Sequence, residues 1–234
     1  MENIQKKLKP ALYIVATPIG HPKDITLRAL DVLERVDHIV CEEIRLGSTF
    51  LKKIGLQRDE LFTLNEHNER EIAPEMVNRL LMGQSLALIS DGGTPVFSDP
   101  GSFLIRLASE AGVAVIPLPG ASSLMAALSI LDFKLENFYF AGFLSPKNEI
   151  RKNEFARLKT HNTPIILMDT PYRLVRTLEE VQQTFGGNQK ITLACDLTLK
   201  TEAVYRGSVS EVLKNLGKKK AEFIMILHAS KRKY

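Results

Sequence analysis

Apolar positions along this chain recur with two periods. Runs of four or five apolar residues, as in Leu12–Ala16, His38–Cys41, Leu61–Leu64, Leu86–Ser90 and Val113–Pro117, have the length of buried strands. Between them the spacing turns helical. Asp24–Val36 has helical periodicity, with Ile25, Leu27, Leu30, Val32, Leu33 and Val36 apolar, and Arg45–Ile54 and Glu69–Leu81 also read as helices. Asp99 followed by Pro100 reads as a side-chain cap with proline at the first helical position, predicting a helix to about Ala111, where Gly112 stops it. Strands alternating with helices predict a mostly parallel sheet covered on both faces.

The rhythm changes after Gly120. A small-residue helix is expected over Ala121–Leu131, then a strand over Phe138–Phe143. Ser145-Pro146 and Thr170-Pro171 each predict a capped helix, running to about Leu158 and Phe185. Ile165–Met168, Ile191–Cys195, Ala203–Arg206 and Phe223–His228 read as strands, and Ser208-Val-Ser-Glu211 as a capping box. The last strands crowd around one short helix, which predicts a mixed sheet. The expectation is two α/β domains, 1–118 and 119–234, with a ligand cleft between them.

Composition narrows the class. No stretch of about eighteen apolar residues occurs, so no membrane span is expected, and 1–10 carries no apolar segment of signal-peptide length. Cys41 and Cys195 lie in apolar runs without metal-ligand spacing and read as reduced core residues of a cytoplasmic protein. The formal charge is +4, with Lys218-Lys219-Lys220 and Lys231-Arg232-Lys233 supplying much of the excess. That permits RNA or an acidic substrate, though a solvated turn and a frayed tail of surface lysines account for it more readily.

Common nucleotide loops are absent. The first strand leads into Thr17-Pro-Ile-Gly-His-Pro-Lys-Asp24, which is no G-x-G-x-x-G. There is no phosphate-binding G-x-x-x-x-G-K-[ST], no H-E-x-x-H and no C-x-x-C. Instead, Ser90–Ser98 follows a buried strand with Gly92-Gly93, which lets backbone approach a ligand, and Pro95, which fixes the turn. Ser90, Asp91, Thr94, Ser98 and Asp99 add polar side chains where ligands of open parallel sheets lie. Pro119-Gly-Ala-Ser-Ser-Leu-Met-Ala-Ala127 turns into a helix whose first N–H groups can meet a carboxylate or an adenine edge.

At these residues the chain resembles a known family. Ser90-Asp-Gly-Gly-Thr-Pro-Val-Phe-Ser-Asp-Pro-Gly101 resembles the S-D-A-G-T-P-x-[IL]-S-D-P-G signature of the ribosomal RNA small-subunit methyltransferase I family. That family lies within the tetrapyrrole methylase superfamily, which uses S-adenosylmethionine (AdoMet). Leu12–Gly20 with Asp24–Ala29, Glu42-Glu-Ile-Arg45, Asn65-Glu-His-Asn-Glu69, Leu118–Ser123, Phe140–Leu144, Asp169-Thr-Pro-Tyr-Arg173 and Asp196-Leu-Thr198 continue the match in order. His21, Ile44, Gly92, Asp169, Tyr172 and Asp196 depart from the usual residues, and the family's further C-terminal helical region is expected to be missing.

The resemblance implies two α/β domains of tetrapyrrole methylase type with AdoMet in the cleft. It implies a cofactor set of Pro18, Asp91, Gly92, Gly93, Thr94, Val96, Phe97 and Ser98 on one side. Ser122, Ser123, Met168, Ala194, Leu197 and Phe223 would line the other. It implies ribose 2′-O-methylation of ribosomal RNA, a partner in the small ribosomal subunit, and a homodimer. Glu42, Arg45, His67, Asp169 and Lys200 are the candidate catalytic residues, with Glu43 and Arg173 beside them. Arg45 and Arg173 suit phosphate positioning better than proton transfer. Two other readings stay open: methylation of a tetrapyrrole macrocycle, and a non-catalytic AdoMet-binding or ribosome-associated protein.

Overall fold

The computed structural model describes residues 8–97 and 99–229, so Ser98 and the basic stretch 231–233 lie outside the described residues. The chain divides into two compact units, the first ending at Ser122 and the second beginning at Ser123.

The first unit is built on β1 (Leu12–Val15), α1 (Leu27–Arg35), β2 (His38–Cys41), α2 (Ile44–Lys53), β3 (Phe62–Thr63), α3 (Glu69–Leu81), β4 (Leu86–Ile89), α4 (Ser102–Glu110) and β5 (Val115–Leu118). Its sheet has the order β3-β2-β4-β1-β5, and every pairing is parallel. Side chains alternate between two cores, because successive residues of a strand point to opposite faces. Tyr13, Val15, Ala87 and Ile89 meet Ala29, Val32, Leu33 and Leu51 of α1 and α2. Leu12, Leu86 and Leu88 meet Met76, Leu80, Leu104 and Ala108 of α3 and α4 on the other face.

The second unit holds α5 (Ser123–Ser129), β6 (Tyr139–Phe143), α6 (Asn148–Leu158), β7 (Ile165–Asp169), α7 (Leu174–Phe185), β8 (Lys190–Cys195), β9 (Ala203–Ser208), α8 (Val209–Asn215) and β10 (Phe223–Leu227). The order is β6-β7-β10-β8-β9, with β6 parallel to β7 and the remaining pairs antiparallel, so the sheet is mixed. Phe223, Met225 and Leu227 face the core under α6, α7 and α8. Ile224 and Ile226 face Ala127 of α5.

Three predicted caps fail. Helix α4 begins at Ser102 rather than Pro100, and its N-cap Gly101 has φ +127° and offers no side-chain cap. The orphan N–H groups of its first turn go instead to Glu69 at the start of α3, described below. Helix α6 begins at Asn148 behind Lys147, also without a side-chain cap. The backbone N–H of Ser145 donates to Glu154 (2.8 Å), and its hydroxyl accepts from the N–H of Lys147 (3.2 Å), so it shapes the turn before the helix. Thr170 makes no side-chain cap either; Thr170-Pro171 opens a 3-10 turn, Pro171–Arg173, and α7 begins after it at Leu174. The capping box holds: the Ser208 hydroxyl accepts from the N–H of Glu211, whose carboxylate accepts from the N–H of Ser208.

Candidate active site

Parallel pairing fixes where the first unit's chemistry gathers. All five strands end on one edge of the sheet, so the segments after β1, β2, β3, β4 and β5 emerge together. These carry Thr17-Pro18, Glu42-Glu43, Asn65–Glu69, Ser90–Gly101 and Pro119–Ser122. The helix after β4 packs on one face, while those after its neighbours β1 and β2 pack on the other. A crevice opens where connections diverge in this way, and ligands of open α/β sheets lie there.

The loop after β4 is pinned at several points. Thr17 and Gly93 exchange backbone hydrogen bonds, N–H to carbonyl, at 2.8 and 3.0 Å. The Thr17 hydroxyl donates to the Ser90 carbonyl (3.2 Å), and the Ser90 hydroxyl to the Gly93 carbonyl (3.1 Å). The Thr94 hydroxyl donates to the Ala121 carbonyl (3.2 Å), which joins this loop to the turn after β5. Gly93 has φ +89°, and Val96 has φ +72°, an outlier for a β-branched residue. Strain of this kind persists where surrounding structure over-determines it, and it concentrates at ligand sites. Phe97 beside it is 55 % exposed. Pro18 is half-buried, and Asp91, Gly92 and Thr94 are exposed around it.

Electrostatics separates Glu42 from Glu43. Glu42 is half-buried just past β2. Burial first, then the charges of Asp91, Asp99, Glu66 and Glu43, push its carboxyl above the usual range. Asp91 is raised by burial and by Glu43 and Asp99, partly offset by a backbone hydrogen bond from Glu43. Asp99 is raised by burial, with a hydrogen bond from Ser90 opposing it. Glu43 is exposed and accepts from the Arg45 guanidinium at 3.0 Å. His67 is exposed, with Nε2 3.5 Å from Glu66.

In the second unit Asp169 lies in the interior, its side chain 2 % exposed. It pairs with Arg151, itself 1 % exposed, at 2.6 Å and accepts from the Thr177 hydroxyl (3.1 Å) and the Thr170 N–H (2.8 Å). Arg173 approaches at 3.4 Å, and Arg151 also reaches Glu180 (2.7 Å). A carboxylate engaged on both oxygens, with two guanidiniums beside it, is suited to holding the 169–173 segment and not to taking a proton. Arg151, Thr177 and Glu180 carry no local sequence signal, because each meets Asp169 or its partner from another element.

Met168 and Ala194 sit opposite Ile224 on the two sides of β10, on the α5 face, and Leu197 packs there too. Phe223 is opposite Asp169 and Cys195, and its ring turns into the other core. Met168, Ala194 and Leu197 therefore share one face of this sheet, and the Phe223 side chain lies on the other. Leu197 stands between Asp196 (φ +50°) and Thr198 (φ +67°), a second stretch of left-handed backbone. Burial works against the Asp196 carboxylate, but hydrogen bonds from Lys218 and Thr201 and the Lys218 charge hold it below its ordinary range. Lys200 is exposed on the same loop. Ser122 and Ser123 are half-buried. Among the described residues there is no cluster of three or more His, Cys, Asp or Glu that could hold a metal. No helix among them is long and apolar enough to cross a membrane.

A parallel α/β unit with a strained Gly-Gly-Thr-Pro loop at its strand ends, followed by a mixed α/β unit, is the frame of a class of methyltransferases. Residues 11–213 match the family described as Tetrapyrrole (Corrin/Porphyrin) Methylases, and the chain belongs to that family. It is 39% identical over 221 residues to "Ribosomal RNA small subunit methyltransferase I" of Neisseria meningitidis serogroup B, covering 93% of this chain and 75% of that protein. Identity to the like-named protein of Leptospira biflexa is 36% over 228 residues, 97% of this chain and 94% of that one. The fold is similar to the uroporphyrin-III-C-methyltransferase of Thermus thermophilus, with a TM-score of 0.64 at 19% identity, covering 94% of each chain.

Proposed function

We propose that this chain is an AdoMet-dependent methyltransferase acting on a ribose 2′-hydroxyl of small-subunit ribosomal RNA, as a homodimer in the cytoplasm. The observation that carries the reading is the identity of 36–39% to proteins named for that RNA, along more than nine-tenths of this chain.

The loop after β4 fits AdoMet. A Cβ at Gly92 would make only ordinary contact with the Pro18 carbonyl, at 3.7 Å, so packing alone does not require glycine there, and close approach of a ligand edge to bare backbone accounts for it. The field around it is negative, from Glu42, Glu43, Asp91 and Asp99. That suits the cationic sulfonium and ammonium of AdoMet and opposes a phosphate. Within the first unit, Pro18, Asp91, Gly92, Gly93, Thr94, Val96 and Phe97, with Ser122, are the residues proposed to line AdoMet. Within the second unit, the family resemblance points to Ser123, Met168, Ala194 and Leu197, with the backbone of Phe223.

Bound AdoMet supplies an electrophilic methyl on its sulfonium. Glu42 is the residue proposed to accept the hydroxyl proton. Its raised pKa makes the carboxylate a stronger base than an ordinary glutamate, closer to the optimum for proton transfer near neutral pH. Arg45, His67, Arg173 and Lys200 would hold RNA phosphates. Arg45 is 80% exposed on its side chain and paired only across the surface, so it exchanges Glu43 for a phosphate at little cost.

The test is methyl transfer from labelled AdoMet to small ribosomal subunits taken from a strain lacking the gene. The expected result is label in an alkali-resistant dinucleotide, which marks a blocked 2′-hydroxyl. Label entering a porphyrinoid and no RNA would overturn the substrate, and no transfer to either would overturn the activity. Light scattering checks the dimer.

A further inference from the structure

The segment Asn65-Glu-His-Asn-Glu69 has so far no role beyond its exposed Glu66 and His67, and its geometry explains the other three residues. The Asn65 side-chain carbonyl accepts from the N–H groups of His67 (3.0 Å) and Asn68 (3.1 Å). The Asn68 side chain accepts from the Asn65 N–H (2.7 Å) and donates to the Thr63 carbonyl (3.1 Å). These bonds close a tight turn between β3 and α3. The turn aims Glu69 at the start of a different helix. Its Oε1 accepts from the backbone N–H groups of Gly101 (2.9 Å), Phe103 (2.8 Å) and Leu104 (3.3 Å).

We infer that Glu69 is a positioning residue for the methyl-donor loop, clamping its distal end to α4 as Thr17 clamps its proximal end at Gly93. The inference rests on the proposal that this loop binds AdoMet. One ionised oxygen satisfies three donors at the positive end of α4, where a negative charge is also favoured by the helix dipole. The clamp falls on a crowded position. A Cβ on Gly101 would lie 2.6 Å from Leu88 Cδ2 and 3.1 Å from Val96 Cγ2. Gly101, held by Glu69 at φ +127°, therefore abuts Val96, which is itself held at φ +72°. Releasing Gly101 removes the wall against which Val96 keeps its strained conformation, and Val96 lies within the segment proposed to line AdoMet.

The experiment compares Glu69→Ala and Glu69→Gln with wild type by calorimetric titration of AdoMet well below each melting temperature, together with steady-state kinetics. Glu69→Ala should raise the AdoMet Kd about tenfold, the scale of a lost charged cap. The RNA KM should stay unchanged, and kcat should recover at saturating AdoMet. Glu69→Gln keeps the acceptor oxygen and should remain within about threefold of wild type. A folded Glu69→Ala protein with lowered melting temperature but wild-type AdoMet affinity would overturn the inference and leave the donor reading standing. Wild type that binds no AdoMet would overturn both. Should Glu69→Ala not fold, amide exchange on wild type decides. AdoMet should slow exchange at Gly101, Phe103 and Leu104 along with the loop, and protection confined to Gly92–Phe97 would overturn the clamp.

Discussion

Thr17 and Gly93 face each other across two backbone hydrogen bonds, 2.8 and 3.0 Å, beyond the last paired residues of β1 and β4. Gly93 makes this bridge at φ +89°, with Ile19 Cγ2 3.2 Å from the place a Cβ would take. Gly93→Ala therefore adds left-handed strain of about 1–2 kcal/mol and a tight contact. We expect a lowered melting temperature and an AdoMet affinity reduced by about tenfold, since 1.4 kcal/mol is a factor of ten. Calorimetric titration beside a thermal melt checks both.

Glu42 carries a raised pKa in the folded protein, so the folded state binds its proton more tightly than the unfolded chain does. Stability then falls as pH rises from the unfolded pKa through the folded one, and the penalty is complete above it. Glu42→Gln removes that penalty. We expect a variant at least as stable as wild type at pH 7, with a flatter stability profile on the acid side. Its kcat should fall by about a hundredfold or more, the usual loss with a general base. Denaturant melts across pH 4 to pH 8 and single-turnover methylation measure the two effects. Wild-type turnover would remove Glu42 from the mechanism.

Asp169 is predicted to be a structural carboxylate. Asp169→Ala leaves Arg151 buried beside Glu180 with its main partner gone, at a cost of about 3–5 kcal/mol. The double change Arg151→Met, Asp169→Ala should cost clearly less than the two single changes summed. Asp169→Asn should keep kcat within about tenfold, whereas loss of a true base costs about a hundredfold or more. Urea denaturation and initial rates separate these outcomes.

Both thiols should be silent. Burial, aided at Cys41 by Asp91, pushes that thiol to about 11, and burial likewise raises Cys195 to about 11. Thiolate is the reactive form, so a colorimetric disulfide reagent at pH 8 should titrate neither cysteine until the protein is unfolded. Cys41 is also a packing residue. A Cβ on Gly47 would meet its sulfur at 2.9 Å, and Gly47→Ala should destabilise the first unit by about 1–3 kcal/mol.

What the sequence made legible follows the range of the interactions. Helix α3 takes the bounds its apolar spacing predicts, and the Ser208 box forms as written, because the determinants lie within a turn or two of each other. The cap of α4 was misread for the opposite reason. Asp99-Pro100 carries the local signature, but the working carboxylate is Glu69, 32 to 35 positions away from the N–H groups it serves. Arg151 gave no warning, since Thr177 and Glu180 reach it from 26 and 29 positions away. Phe223 could not be assigned a face because β10 is apolar on both sides, which leaves no alternation to read. The pinned loop after β4 was legible through its glycines and polar side chains. The raised pKa of Glu42 was not, because it comes from burial and from Asp91, Asp99 and Glu66 carried on the loops after other strands.

Strand β10 is the last strand among the described residues, and it lies third of five in its sheet, between β7 and β8. Until Phe223–Leu227 has been synthesised, the parallel pair β6–β7 and the antiparallel pair β8–β9 are separate fragments with no strand to join them. The first sheet has all its strands once Leu118 is made. On the ribosome the two units must therefore mature in sequence, the first during elongation and the second only when synthesis has passed Leu227. A premature stop before Phe223 would leave a folded first unit attached to open strand edges, a substrate for proteases and aggregation.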